Sequence, residues 1–149
     1  MLKELHLKYV GPAPQFDIEL ADRLNIFTGD NGLGKTFLLE MGWRGLTETW
    51  VQKPVVPRRE KGVEPEITYL IQDNVIDSET AQPITSKFKW QRQEWSKFRG
   101  VRSLPGLVIY IGAEGDYSVW DPARNYWEQW DDEEIDTSIN DQLDAYHFT

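Results

Sequence analysis

The segment Gly29-Asp30-Asn31-Gly32-Leu33-Gly34-Lys35-Thr36 constrains the fold of this chain more than any other. It fits G-x-x-x-x-G-K-[ST], the Walker A pattern, at every fixed position. An apolar run, Leu24-Asn25-Ile26-Phe27, precedes it and a helical pattern follows. The motif requires a strand, a glycine loop and a helix in succession. Its glycines let the backbone turn tightly enough for successive N–H groups to converge as a nest, and the helix N-terminus behind them adds positive partial charge. A polyphosphate suits such a loop. The amides of residues 31–36 would form the cradle, Lys35 would reach the β- and γ-phosphates, and the Thr36 hydroxyl would sit on Mg²⁺. The expected nucleotide-binding residues are Gly29, Asp30, Asn31, Gly32, Leu33, Gly34, Lys35, Thr36 and Phe37, with Lys35 also the catalytic cation. The expected ligands are ATP and Mg²⁺. The plain alternative is a glycine-rich turn with a solvated lysine.

The neighbouring residues predict the elements around this loop. Leu5, Leu7 and Tyr9 alternate with His6, Lys8 and Val10; Gly11-Pro12-Ala13-Pro14 breaks the run; Phe16, Ile18 and Leu20 then alternate with Asp17 and Glu19. Period-two alternation bounded by Gly and Pro reads as a β-hairpin. Leu24-Asn25-Ile26-Phe27 reads as a short strand entering the loop. Residues 36–46 have helical spacing, with Leu38, Leu39, Met41, Trp43 and Leu46 as the buried face. Gly42 and Gly45 leave that helix dependent on packing. Pro54 and Pro57 would end any continuation, and residues 53–65 read as an exposed loop. Residues 66–71, 85–92, 107–111 and 117–120 read as further strands.

No cysteine is present, which excludes disulfides, thiolate metal sites and cysteine nucleophiles. His6 and His147 lie too far apart in sequence to suggest a metal site. No apolar run approaches the roughly 18 residues of a membrane span, and the first residues do not resemble a signal peptide. The expectation is a cytoplasmic protein with no membrane partner. The net charge of -9 is concentrated in residues 125–149, which hold eight acids and no Lys or Arg. We therefore divide the chain into a nucleotide-binding lobe, 1–127, and an acidic tail or connection, 128–149.

Asn-Gly-x-Gly-Lys-[ST] within GDNGLGKT resembles the phosphate loop of the ABC-type ATPases, the RecF, SMC and OLD-nuclease relatives often labelled AAA-family ATPases in bacteria. LKELHLKYVG, QFDIEL and RLNIFTG are similar to the β-subdomain that introduces the loop in that group. Residues 106–127, GLVIYIGAEGDYSVWDPARNYW, resemble a segment of bacterial members. The resemblance implies an α/β fold: the N-terminal lobe of a P-loop NTPase, with a twisted sheet carrying the loop and an antiparallel β-subdomain beside it. It implies ATP sandwiched across a dimer, in-line attack of water on the γ-phosphate, and DNA as a further partner. It also calls for a Walker B strand ending in Asp and a signature sequence. Neither is readable here. Residues 107–111 form the one candidate strand, and Glu114 comes three residues late in a turn. The expectation is thus a fragment, truncated product or split lobe that needs a C-terminal ATPase lobe or a homodimer. Alone it would bind weakly and scarcely hydrolyse.

Residues 87–102 interleave six bases with Phe88, Trp90, Trp95 and Phe98, a pattern that fits either a nucleic-acid grip or an amphipathic strand with its aromatics in the core. Trp120, Tyr126, Trp127 and Trp130 could stack on adenine or fill a core. Asp131-Asp132-Glu133-Glu134 reads as a solvated run or a divalent-ion site. Against the ATPase lobe stands a non-catalytic interaction module, a relic of the P-loop fold. A nucleotide kinase is disfavoured because no Arg-rich lid is readable.

Overall fold

The computed structural model describes residues 1–30, 32, 34–60, 62–72, 82–98, 106–122 and 146–148. The fold is mixed α/β: eight strands and one helix among the described residues, with every described strand pair antiparallel. The first sheet has the order β2-β1-β3-β4-β5 and contains β1 (Leu2–Lys8), β2 (Gln15–Glu19), β3 (Glu66–Ile71), β4 (Ile84–Lys89) and β5 (Glu94–Trp95). The second has the order β6-β7-β8 and contains β6 (Val108–Ile111), β7 (Tyr117–Trp120) and β8 (Tyr146–Phe148). The helix, α1, spans Lys35–Thr47.

Register gives the first sheet two unlike faces. Leu5 pairs with Tyr69 and Leu7 with Ile67; Tyr69 pairs with Ile84 and Ile67 with Ser86. All of these are buried, and Met41 of α1 packs into the same cluster. The opposite face carries His6 beside Asp17 and Thr68, and Glu66 beside Lys87. A register shift between Leu2 and Glu4 keeps Leu2 on the buried side despite its odd spacing. The second sheet packs Trp120, Val108 and Tyr110 against Trp43 and Val51. α1 therefore serves both cores, with Met41 and Gly45 toward the first sheet and Trp43 toward the second.

The structure corrects several sequence-predicted details. Residues 24–27 are not a strand: no partner strand lies beside them among the described residues, and Leu24 and Ile26 are 71% and 74% exposed. The glycine-rich segment that starts at Gly29 accordingly follows an irregular stretch, and neither described sheet carries it directly. Leu39 lies on the outer side of α1 and is half exposed. The helix ends before either proline. Glu48 takes a left-handed conformation (φ 61°) and donates its N–H to Arg44 O. The Thr47 hydroxyl donates to Trp43 O, and Trp43 Nε1 donates to the Thr49 hydroxyl. The strand expected over 85–92 stops at Lys89, where a turn with Gln93 at φ 57° leads into β5. The described residues of 53–65 are only partly exposed, because Pro57 and Pro65 are buried and Trp95 Nε1 donates to Val55 O. The boundary expected at 127/128 lies outside the described residues, while β8 pairs with β7 beyond it.

Candidate functional site

The glycine loop meets α1 at Gly34, whose φ of 86° makes it a left-handed N-cap. Gly29 and Gly32 also have positive φ, 146° and 87°. A side chain is strained in such conformations, so the three glycines have a backbone reason to be where they are. Asn31 and Leu33 lie outside the described residues. No side chain caps the helix start and its first turn has no acid. The first intrahelical bond runs from Leu38 N–H to Gly34 O, 3.0 Å. The amides of Lys35, Thr36 and Phe37 precede it, where a helix has no acceptor of its own. A converging anion would provide one.

Lys35 Nζ folds back over the loop and donates to Gly29 O and Asp30 O, each at 2.7 Å. Its charge thus sits at the mouth of the loop, on two carbonyls with which phosphate oxygens would compete for the ammonium. The Thr36 hydroxyl is in the exposed part of the first turn. The Phe37 side chain packs on the first core and against Gly11, so it is structural. Farther along the helix, burial pushes the Glu40 carboxyl above the usual carboxylate range. Among the described residues no group of three His, Asp or Glu side chains could hold a metal ion.

The remaining sequence-predicted residues fall elsewhere. Trp120 is fully buried against Trp43 and Val51, so it fills a core and is not available to stack on adenine. Tyr126, Trp127, Trp130 and the acids at 131–134 lie outside the described residues. Glu114 is exposed in the β6–β7 turn, which closes through Gly112 N–H to Asp116 O, 2.8 Å. Three aromatic residues of 87–102 pack together, Phe88 lying 5.0 Å from Trp90 and 5.2 Å from Trp95, while Phe98 packs on Tyr69 at 5.3 Å. Lys87 and Lys89 point outward, as an amphipathic strand requires, and Lys87 pairs with Glu64 and Glu66. Arg99 and Arg102 lie outside the described residues.

Two features next to the loop were missed from the sequence. The β1–β2 connection, residues 9–14, lies against Gly34 and Phe37. Arg58, one of four bases in a proline-rich loop, binds that connection through its guanidinium. Arg44 is a third surprise: a buried cation between the rings of Trp50 (4.9 Å) and Phe98 (5.0 Å), where cation–π attraction offsets part of its desolvation. No protein-family model, curated protein or solved structure matches the chain. No helix among the described residues is long and apolar enough to cross a membrane.

Proposed function

We propose that this chain binds the polyphosphate of ATP, with Mg²⁺, through Gly29–Thr36, and that it is the N-terminal lobe of an ABC/RecF-type P-loop ATPase. One observation carries the reading. The full G-x-x-x-x-G-K-T pattern falls where α1 begins, with positive φ at each described glycine and Lys35 Nζ over the loop. Donors from backbone, helix terminus and ammonium there share one small region, as a triphosphate requires. The antiparallel β1–β2 hairpin ahead of the loop supports the ABC-like branch.

Thr36 is the residue that the Walker A pattern assigns to Mg²⁺. The metal would come with the nucleotide, whose oxygens and waters complete its octahedron. Lys35 would hold the β- and γ-phosphates and offset charge that develops on transfer. In such ATPases a Walker B Asp would hold Mg²⁺ and a following Glu would orient the attacking water, whereas β6 runs into Gly112. We therefore assign turnover to a completed assembly, by a second lobe or a second copy, and to this chain the holding of phosphates. Exposed Leu24 and Ile26, directly before the loop, support such a partner.

Titration of a fluorescent ATP analogue, with and without Mg²⁺, tests this. Saturable binding that improves with Mg²⁺ and disappears in Lys35→Ala is expected. Absence of binding at millimolar nucleotide would favour the relic interaction module instead.

A further inference from the structure

The phosphate loop is braced from the side by a connection that one arginine fastens. A Cβ added to Gly34 would lie 3.1 Å from Pro12 Cγ, and one added to Gly11 would lie 2.4 Å from the Phe37 ring. Residues 11 and 12 therefore rest on the last glycine of the loop and on the first turn of α1. This connection has one unfavourable backbone position, Tyr9 at φ 55°, while Gly11 supplies the φ of 82° that a side chain would resist. Tyr9 N–H donates to Pro14 O at 2.6 Å, which closes it on itself.

Arg58 holds it from the far side. Its Nε donates to Gly11 O at 3.0 Å and a terminal guanidinium nitrogen donates to Pro12 O. Its backbone N–H donates to Tyr9 O at 3.1 Å. The side chain is exposed and belongs to neither hydrophobic cluster. Its bonds go to the brace rather than to either core. The two side-chain bonds need the planar fork of a guanidinium, since an ammonium is a point donor that does not match two carbonyls in this way.

We propose that Arg58 is a positioning residue for the phosphate site. By fixing residues 9–14 against Gly34 and Phe37, it holds the loop and the first turn of α1 in the geometry that accepts a triphosphate. This rests on the reading of Gly29–Thr36 as that site. The brace touches the loop at Gly34, so its loss should weaken ATP and inorganic tripolyphosphate alike.

The experiment uses the full chain as wild type, Arg58→Ala, Arg58→Lys and Lys35→Ala. Mg·ATP and tripolyphosphate affinities are measured alongside urea midpoints. Expected is a loss of about tenfold for both ligands in Arg58→Ala, a similar loss in Arg58→Lys, and partial recovery of Arg58→Ala by added methylguanidinium. A fall in the urea midpoint with unchanged affinity would mean a structural role only and would overturn the proposal. So would full affinity in Arg58→Lys, or a loss confined to ATP. If Arg58→Ala does not fold, Arg58→Lys decides by the same criteria. Wild-type affinity in both Arg58 variants, with binding lost in Lys35→Ala, would refute the inference and leave the phosphate site standing. Failure of the wild type to bind either ligand would remove both.

Discussion

Substituting alanine for Gly45 should destabilise the fold, although glycine-to-alanine changes inside helices ordinarily stabilise by about 0.5–1 kcal/mol. A Cβ at Gly45 would lie 2.4 Å from Tyr69 Cε1, 2.5 Å from Cδ1 and 2.9 Å from Cζ. Tyr69 cannot swing away freely: it is fully buried and its hydroxyl donates to Met41 O at 2.8 Å. Overpacking of this kind costs about 1–3 kcal/mol, and a broken buried hydrogen bond about 1 kcal/mol more. Against a propensity gain of about 1 kcal/mol, the net loss is roughly 1–3 kcal/mol. Gly42 provides the internal contrast, since a Cβ there would meet only Leu2 Cδ2 at 3.9 Å. Gly42→Ala should gain about 0.5–1 kcal/mol. Urea unfolding followed by tryptophan fluorescence measures both. Equal stabilisation by the two substitutions would refute the claim that Gly45 sets the close approach of α1 to the first sheet.

Three further outcomes follow from the same geometry. Tyr69→Phe should lower stability by about 1 kcal/mol through loss of the bond to Met41 O, read as a shift in urea midpoint at unchanged slope. Gly34→Ala combines a left-handed φ with a 3.1 Å approach to Pro12; it should lower Mg·ATP affinity more than it lowers the thermal midpoint, and the reverse ordering would count against the loop reading. His6 is held above the usual histidine range, first by its hydrogen bond to Glu4 and next by that to Asp17, and Asp17 is held low chiefly by its bond to His6. The folded chain thus favours charged His6, a contribution full below about pH 6.5 and lost as pH rises through the raised folded value; the Asp17 part is lost as pH falls through its lowered value. The stability gap between wild type and His6→Gln should therefore be widest in weak acid and close in alkali, and a gap constant with pH would exclude this linkage.

Much of the fold was legible because its signals are local. The alternation of Leu5 and Leu7, then Phe16 and Ile18, reports one buried face, and Gly11 through Pro14 leave no route but a turn. Leu38 and Met41, three apart and both in the first core, mark α1 by period. What failed depended on distant partners. Leu24 and Ile26 alternate as a strand should, but a strand exists only beside another, and none is described there. Leu39 has the right composition for a core, yet the second sheet approaches α1 at Trp43 and leaves Leu39 outside. The turn between β4 and β5 carries no Gly or Pro, so its left-handed Gln93 gave no warning. For the candidate site, the positive-φ turn at Gly29, Gly32 and Gly34 was readable from glycine spacing. Its brace was not, because Arg58 meets Gly11 across 47 positions of chain.

Calorimetric titration of the full chain with Mg²⁺ and the series AMP, ADP, ATP and tripolyphosphate tests the central claim most directly. The account predicts affinity that climbs with phosphate number, tripolyphosphate binding without any base, and loss of all of it in Lys35→Ala. Equal affinity for AMP and ATP, or a Lys35→Ala titration that overlays the wild type, would contradict it.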